Sequence, residues 1–176
     1  MENADYKIPK GKEVVFVGRF QPLHRGHLEA IKWILAQSKR LKIVIGSMQE
    51  FGQADNPLEF ADRKRILELA LAEAGVKNCE IFGLPDFYND AAWTQKMLEI
   101  TGLKAGETVL VSLNDWAKSC AKKIGIEAAD QPVFCGNLSA TQVRQTIFAG
   151  ANWKNLVPPA VFDCLQNEGL AQKIAD

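Results

Sequence analysis

The chain has 176 residues, 47% of them apolar, and its Lys plus Arg and Asp plus Glu totals are equal at 21 each. That size and apolar content suit one domain with a real core and exclude a disordered chain. The charge balance supplies no global field for nucleic acid or an anionic membrane surface. No apolar run approaches the ~20 residues of a membrane span, and MENADYKIPKGKE lacks a signal-peptide core, so a cytoplasmic location is expected. Residues 1–12, with Pro9 and Gly11 among polar neighbours, read as a flexible lead-in. Cys79, Cys120, Cys135 and Cys164 are widely spaced without a C-x-x-C pair, which suggests buried small hydrophobes and neither zinc nor a disulfide framework.

Val14, Val15, Phe16 and Val17 form the β-branched and aromatic run of a buried parallel strand, closed by Gly18. Pro22 favours a turn, and Arg25 to Ser38 reads as a helix with Leu28, Ile31, Ile34 and Leu35 on one face. A strand handing over to a helix N-terminus is where α/β sheets bind phosphate, because free N–H groups and the positive dipole end point there. The chain's two histidines, His24 and His27, fall at this junction. Gly26 between them lets backbone approach a phosphate, both imidazoles can donate to its oxygens, and Arg19 adds a planar cation.

These residues, GRFQPLHRGH, resemble the signature of the H-x-G-H nucleotidyltransferases, and their wording is closest to the archaeal-type nicotinamide mononucleotide adenylyltransferases. The resemblance runs from Gly18 to about Val161. It implies adenylyl transfer from ATP, with magnesium, to a phosphorylated small-molecule acceptor, and a family that commonly assembles into oligomers. It implies catalytic roles for His24, His27, Arg19 and Arg144, and ATP contacts from Gly18, Phe20 and Gly26 as well.

Leu41 to Ile45 makes a second buried strand, closed by Gly46 and Ser47. In the family resembled, this turn lies near bound nucleotide, which implies acceptor contacts; a plain strand-ending turn is the alternative reading. The polar loop Met48 to Asp55 precedes Asn56-Pro57, an Asx cap followed by proline that predicts a helix to about Ala74. Asn56, Pro57 and Arg63 match the family's N-P-F and G-E-R stretch, with Leu58 and Asp62 replacing Phe and Glu. Where some members carry a phosphate-holding arginine, this chain has Asp55, and an acid cannot do that work.

Cys79 to Leu84 predicts a third strand, and Pro85-Asp86 opens a turn through Phe87, Tyr88, Asn89 and Asp90 to a helix over Ala92 to Ile100. The family's P-D and N-A-x-W segment implies acceptor contacts for Asp86, Asp90 and Trp93, with the tryptophan stacking the acceptor's ring. Core packing is the other reading of Trp93. Asp90 stands for the usual Asn, exchanging a donor-acceptor amide for a group that only accepts when ionised.

Glu107 to Ser112 predicts a fourth strand, and Asn114 can cap a helix to about Lys123. Asn114 retains half of a Gly-Asn pair that meets the nucleotide in the family, while Leu113 replaces the glycine. Gln131 to Cys135 predicts a fifth strand. After it, Leu138, Ser139, Thr141 and Arg144 place a cap, a first-turn hydroxyl and an arginine at a helix start, a second anion site. They resemble the family's I-S-x-T-x-x-R motif, which grips the ATP β and γ phosphates. Ala151 to Leu170 reads as a terminal helix, and its W-x-x-L-V-P resembles the family's ending.

Five strands alternating with helices predict a single domain over 1–176, a doubly wound parallel five-stranded α/β sheet of Rossmann-like nucleotidyltransferase type. G-x-G-x-x-G and G-x-x-x-x-G-K-[ST] are absent, which disfavours a dehydrogenase or P-loop NTPase. Class I aminoacyl-tRNA synthetases share the H-x-G-H ancestry, but this chain lacks their length and K-M-S-K-S loop. Asp55, Asp90 and Leu113 leave the acceptor open among nicotinamide mononucleotide, nicotinate mononucleotide, FMN, phosphopantetheine, or a sugar or alcohol phosphate with CTP. A non-catalytic ATP sensor is the reading outside enzymes.

Overall fold

The computed structural model describes residues 6–87 and 89–176; the first five residues of the lead-in and Tyr88 lie outside it. The described residues form two compact units. The first comprises the residues up to Gly18, Ala30–Gly46 and Asn78–Pro132, and the second comprises Arg19–Glu29, Ser47–Lys77 and Val133–Asp176.

The first unit holds a five-stranded sheet, β1 (Glu13–Gly18), β2 (Leu41–Ile45), β3 (Cys79–Gly83), β4 (Thr108–Val111) and β5 (Glu127–Ala129), in the order β3-β2-β1-β4-β5. All four pairings are parallel, with Phe16 opposite both Ile43 and Val111. The central strands are apolar on both faces, as a sheet covered on both sides requires. Order reverses at β1, so the chain steps outward to β2 and β3 and then back to β4 and β5, the doubly wound arrangement. Val15, Val17, Val44, Leu84, Trp93 and Met97 belong to one buried cluster of this unit. Its helices include α3 (Asp90–Thr101), capped by Asn89, and α4 (Asp115–Lys123), capped by Asn114. Helix α1 (Arg25–Leu35) spans the boundary between the units and ends three residues before the predicted Ser38.

Helices α2 (Phe60–Glu73), α5 (Ala140–Phe148), α6 (Pro159–Asn167) and α7 (Leu170–Ala175) belong to the second unit, where α6 packs on α2 and α7 packs on α5 and α6. None of the helices among the described residues is long and apolar enough to cross a membrane.

Three sequence expectations are corrected. The fifth strand is Glu127–Ala129, paired with Val109–Val111, whereas Gln131 to Cys135 is loop. Pro132 has no N–H to give a ladder, and Cys135 turns the chain with φ 51°. The Asn56-Pro57 helix start is also displaced: α2 begins at Phe60 with Glu59 at its N-cap position. The backbone of Leu58 is already taken, its N–H donating to Gln21 Oε1 at 2.9 Å and its carbonyl accepting from Gln21 Nε2 at 2.8 Å. Glu59 is extended, at φ −66° and ψ 161°, so helical geometry begins only after it, while Gln21 holds the Leu58 backbone to the turn. Finally, Ala151 to Leu170 is not one helix. Residues 151–158 are loop with a turn at 154–156, Pro159 occupies the first position of α6, and Gly169, at φ 70°, separates α6 from α7. Of the cysteines, Cys120 and Cys164 are buried as expected, Cys79 is half-buried and Cys135 is exposed.

Candidate functional site

Every residue of the two strong motifs except Gly18 falls in the second unit. His24 and His27 stack there with ring centroids 3.7 Å apart and planes inclined by 28°. Each backbone N–H aims at the other's ring: His24 N donates to His27 Nδ1 at 3.3 Å, and His27 N donates to His24 Nδ1 at 3.4 Å. An Nδ1 that accepts cannot carry the ring proton, so both imidazoles bear it on Nε2. Burial lowers the His24 pKa to about 4 and holds that of His27 well below its ordinary value, with the charge of His24 adding to the effect on His27. The pair is therefore two neutral N–H donors near pH 7. Gly26 permits a close approach: a Cβ there would lie 3.1 Å from both Cε1 and Nδ1 of His24 and would press on the histidine ring. Phe20, buried and at φ 53°, sets its ring 4.8 Å from that of His27.

Around this turn three arginines converge. Arg19 is exposed and donates to Asn56 Oδ1 at 3.3 Å. Arg63 is fully buried and donates to three backbone carbonyls, those of Glu59 (3.4 Å), Arg19 (3.2 Å) and Ser47 (3.0 Å). It thereby clamps the residue after β1 to the turn after β2, where Ser47 has φ 48°. Charge-assisted bonds to carbonyls make burial of that cation tolerable. Arg144 is buried and donates to the carbonyl of Gln21 at 2.8 Å, to Asp55 Oδ1 at 2.9 Å and to Thr141 Oγ1 at 3.3 Å. Burial and the charge of Arg19 both press its pKa down, against the pull of Asp55.

Arg144 stands on α5, which starts in a full capping box. Ser139 Oγ accepts from Gln142 N at 3.2 Å, and Gln142 Oε1 accepts from Ser139 N at 2.8 Å. The Leu138 carbonyl lies 3.5 Å from where a Cβ on Gly26 would be, so the start of α5 abuts the H-x-G-H turn. Thus the structure brings Arg19, Phe20, His24, Gly26, His27, Leu138, Ser139, Thr141 and Arg144 into one unit.

The remaining candidates lie in the first unit, apart from Ser47. Gly46 N donates to the Gly18 carbonyl at 3.0 Å, continuing the β1–β2 pairing beyond the strands. Asp86 is exposed in the loop after β3. Trp93 is only 2% exposed, and Trp116, 42% exposed, meets it in a T-shaped contact with ring centroids 5.1 Å apart. Core packing is thus the reading of Trp93 that describes this structure. Asp90 accepts from Lys123 Nζ at 2.6 Å and from Trp116 Nε1 at 3.2 Å, and the bond from Lys123 lowers its pKa. Its charge is matched by a neighbouring cation. Asn114 Oδ1 is occupied as the α4 cap, accepting from Trp116 N at 2.9 Å.

Sequence reasoning overlooked Gln21, whose side chain ties the H-x-G-H turn to Leu58 while its carbonyl holds Arg144. The available signal was a glutamine wedged between Phe20 and Pro22, an apolar setting in which an amide must find backbone partners. Trp116 and the pairing of Asp55 with Arg144 were likewise out of reach, since each depends on residues distant in the chain.

A parallel sheet of this order, followed directly by paired N–H donors and a capped arginine helix, is the framework of a nucleotidyltransferase, and residues 15–146 match the cytidylyltransferase-like family. The nicotinamide-nucleotide adenylyltransferase of Pyrococcus horikoshii is 33% identical over 154 residues, covering 86% of this chain and 81% of that protein. The enzyme of the same name from Ignicoccus hospitalis is 31% identical over 166 residues, covering 92% and 95% respectively. The chain belongs to the nicotinamide-nucleotide adenylyltransferase family, within the cytidylyltransferase-like group. A bifunctional NMN adenylyltransferase/ADP-ribose pyrophosphatase from Francisella tularensis, crystallised with AMP and a manganese ion, superimposes with a TM-score of 0.76 at 25% identity. That match covers 93% of this chain and 52% of the other, so the present chain spans about half of the bifunctional protein.

Proposed function

We propose that residues 1–176 act as one nucleotidyltransferase domain that joins the AMP of ATP to nicotinamide mononucleotide, giving NAD and pyrophosphate. The observation that carries this reading is the stacked His24–His27 pair with each Nδ1 accepting a backbone N–H, an arrangement that assigns the ring proton of each neutral imidazole to Nε2. The acceptor's phosphate oxygen attacks the α-phosphorus of ATP, and the bond to the bridging oxygen breaks as pyrophosphate leaves. No protein nucleophile is needed, so rate comes from positioning and from donors aimed at oxygens that gain charge.

Neutral imidazoles suit that work because their N–H groups can strengthen their bonds as charge develops, without a counter-ion to discard first. His24 and His27 are assigned to the triphosphate and Arg19 to phosphate near the reacting centre, with Gly18, Phe20 and Gly26 shaping the turn that carries them. Ser139, Thr141 and Arg144 are assigned to the departing pyrophosphate, with Leu138 and Asn114 as further nucleotide contacts. Gly46, Ser47, Asp86 and Asp90 are assigned to the acceptor, whose planar ring is stacked by the exposed Trp116, with Trp93 packed in the core behind it. No group of three or more His, Cys, Asp or Glu able to hold a metal occurs among the described residues. Magnesium carried on ATP would lower the charge that Arg19 and Arg144 must offset.

Replacing His27 by Ala is expected to lower kcat roughly 10²-fold, as the loss of one oxyanion donor does, while the KM for ATP changes less. Near-normal turnover by the His27→Ala protein would refute the assignment.

A further inference from the structure

We propose that Asp55 is a built-in competitor for the phosphate site on Arg144, a carboxylate that nucleotide phosphates must displace before the guanidinium can hold them. The proposal rests on the assignment of Arg144 to phosphate. It concerns what sets the affinity of that site.

The argument begins with the three acceptors that Arg144 uses, which differ in how readily they can leave. Gln21 offers its carbonyl from a buried turn whose side chain is bonded in both directions to Leu58, so that acceptor is fixed. Thr141 sits in the first turn of α5, one turn before Arg144 on the same helix, and is fixed as well. Asp55 alone is movable. Its side chain is 75% exposed, against 8% for Arg144, and it belongs to the loop that joins β2 to α2.

Asp55 Oδ1 and Thr141 Oγ1 share one guanidinium nitrogen, Nη2, at 2.9 and 3.3 Å. A phosphate oxygen seeking Arg144 wants the bonding position that Asp55 holds. Two anions cannot share it comfortably, since the carboxylate and the polyphosphate repel one another. Arg19 sharpens the competition, because its charge and that of Arg144 oppose each other and jointly favour an anion between them. Asp55 supplies one negative charge where a pyrophosphate supplies several. The carboxylate therefore serves as a placeholder that keeps the buried cation paired between turnovers, and its return to Arg144 opposes rebinding of pyrophosphate.

An ion pair with one well-exposed partner shifts an equilibrium only a few-fold, and the added repulsion from a polyanion brings the expected effect to roughly three- to tenfold. The test is titration of the full chain with magnesium pyrophosphate, comparing wild type, Asp55→Asn, Arg144→Gln and the double variant. Asp55→Asn should bind pyrophosphate roughly three- to tenfold more tightly, and the gain should fade at high salt and vanish when Arg144 is also replaced. Asp55→Ser should reproduce the gain, since the position is exposed and Arg144 is the one partner of its carboxylate among the described residues. Unchanged or weaker binding by Asp55→Asn would overturn the proposal, as would an equal gain on the Arg144→Gln background. If the wild type transfers adenylate normally but Asp55→Asn shows no gain, this proposal alone falls. If the wild type neither transfers adenylate nor binds pyrophosphate, the functional reading falls and takes this one with it.

Discussion

His24 and His27 share one small space, and charging either ring would put a cation into a site that water barely reaches. Stability should follow from that. An unfolded histidine takes up a proton near pH 6.5, whereas folded His24 does so only at about 4 and folded His27 well below its ordinary value. Between those limits the unfolded state binds protons that the folded state refuses. The contribution is therefore complete above pH 6.5 and is lost as pH falls toward 4. For His24 the whole gap corresponds to about 3 kcal/mol. Urea denaturation at about pH 7 and pH 5 should show the folded state weakening on acidification, and His24→Asn should flatten the trend; equal midpoints at both pH values would contradict it. The two tryptophans separate just as clearly. Trp93→Ala removes a large ring from the core and is expected to cost about 3–5 kcal/mol in chemical denaturation. Trp116→Ala should stay within about 1 kcal/mol and instead raise the KM for the acceptor. The opposite pattern would place Trp116 in a structural role and Trp93 at the ligand.

At the scale of elements, α3, α4 and α5 each begin with a side chain that closes the first turn. Ser139 and Gln142 do this for α5, and Ser139→Ala is expected to cost about 1 kcal/mol in thermal unfolding and to weaken pyrophosphate binding with it. A loss in binding with no loss in stability would mean that Ser139 contacts phosphate without organising the helix. These starts were legible in the sequence because their bonds are local: Ser139 caps a backbone N–H three residues on, and Asn114 one two residues on. Asn56 carried the same signal and misled, because Glu59 stays extended while Gln21, far away in the chain, holds the Leu58 backbone. Strand β5 was misplaced for a related reason. The Glu127–Ala129 run has no β-branched residue, and only its partner β4 makes it a strand. The apolar look of Val133, Phe134 and Cys135 drew the expectation to a loop.

For the molecule as a whole, the parallel sheet was legible because β1 and β4 carry unbroken apolar runs, β2 is interrupted only by Lys42, and β1 passes directly into the histidine turn. The phosphate end of the candidate site was legible because its residues fall in two compact motifs, Arg19 to His27 and Leu138 to Arg144. Gln21's bonds and the Asp55–Arg144 pair were not, since both join segments whose approach only the folded chain determines. Asp55 and Asp90 looked like departures that put the acceptor in question. In the structure each carboxylate is matched by a cation, Arg144 for one and Lys123 for the other. Asp90 therefore presents no isolated charge to a phosphorylated acceptor, and Asp55 holds the cation for which phosphates compete. The account's central claim is adenylyl transfer to nicotinamide mononucleotide, and the most direct measurement is pyrophosphate release by the purified protein with magnesium and ATP. Nicotinamide mononucleotide, nicotinate mononucleotide, FMN and phosphopantetheine would be supplied one at a time, and the series repeated with CTP. The account predicts release with ATP and nicotinamide mononucleotide, with NAD formed in equal amount; release only with another acceptor, or ATP binding without any release, would contradict it.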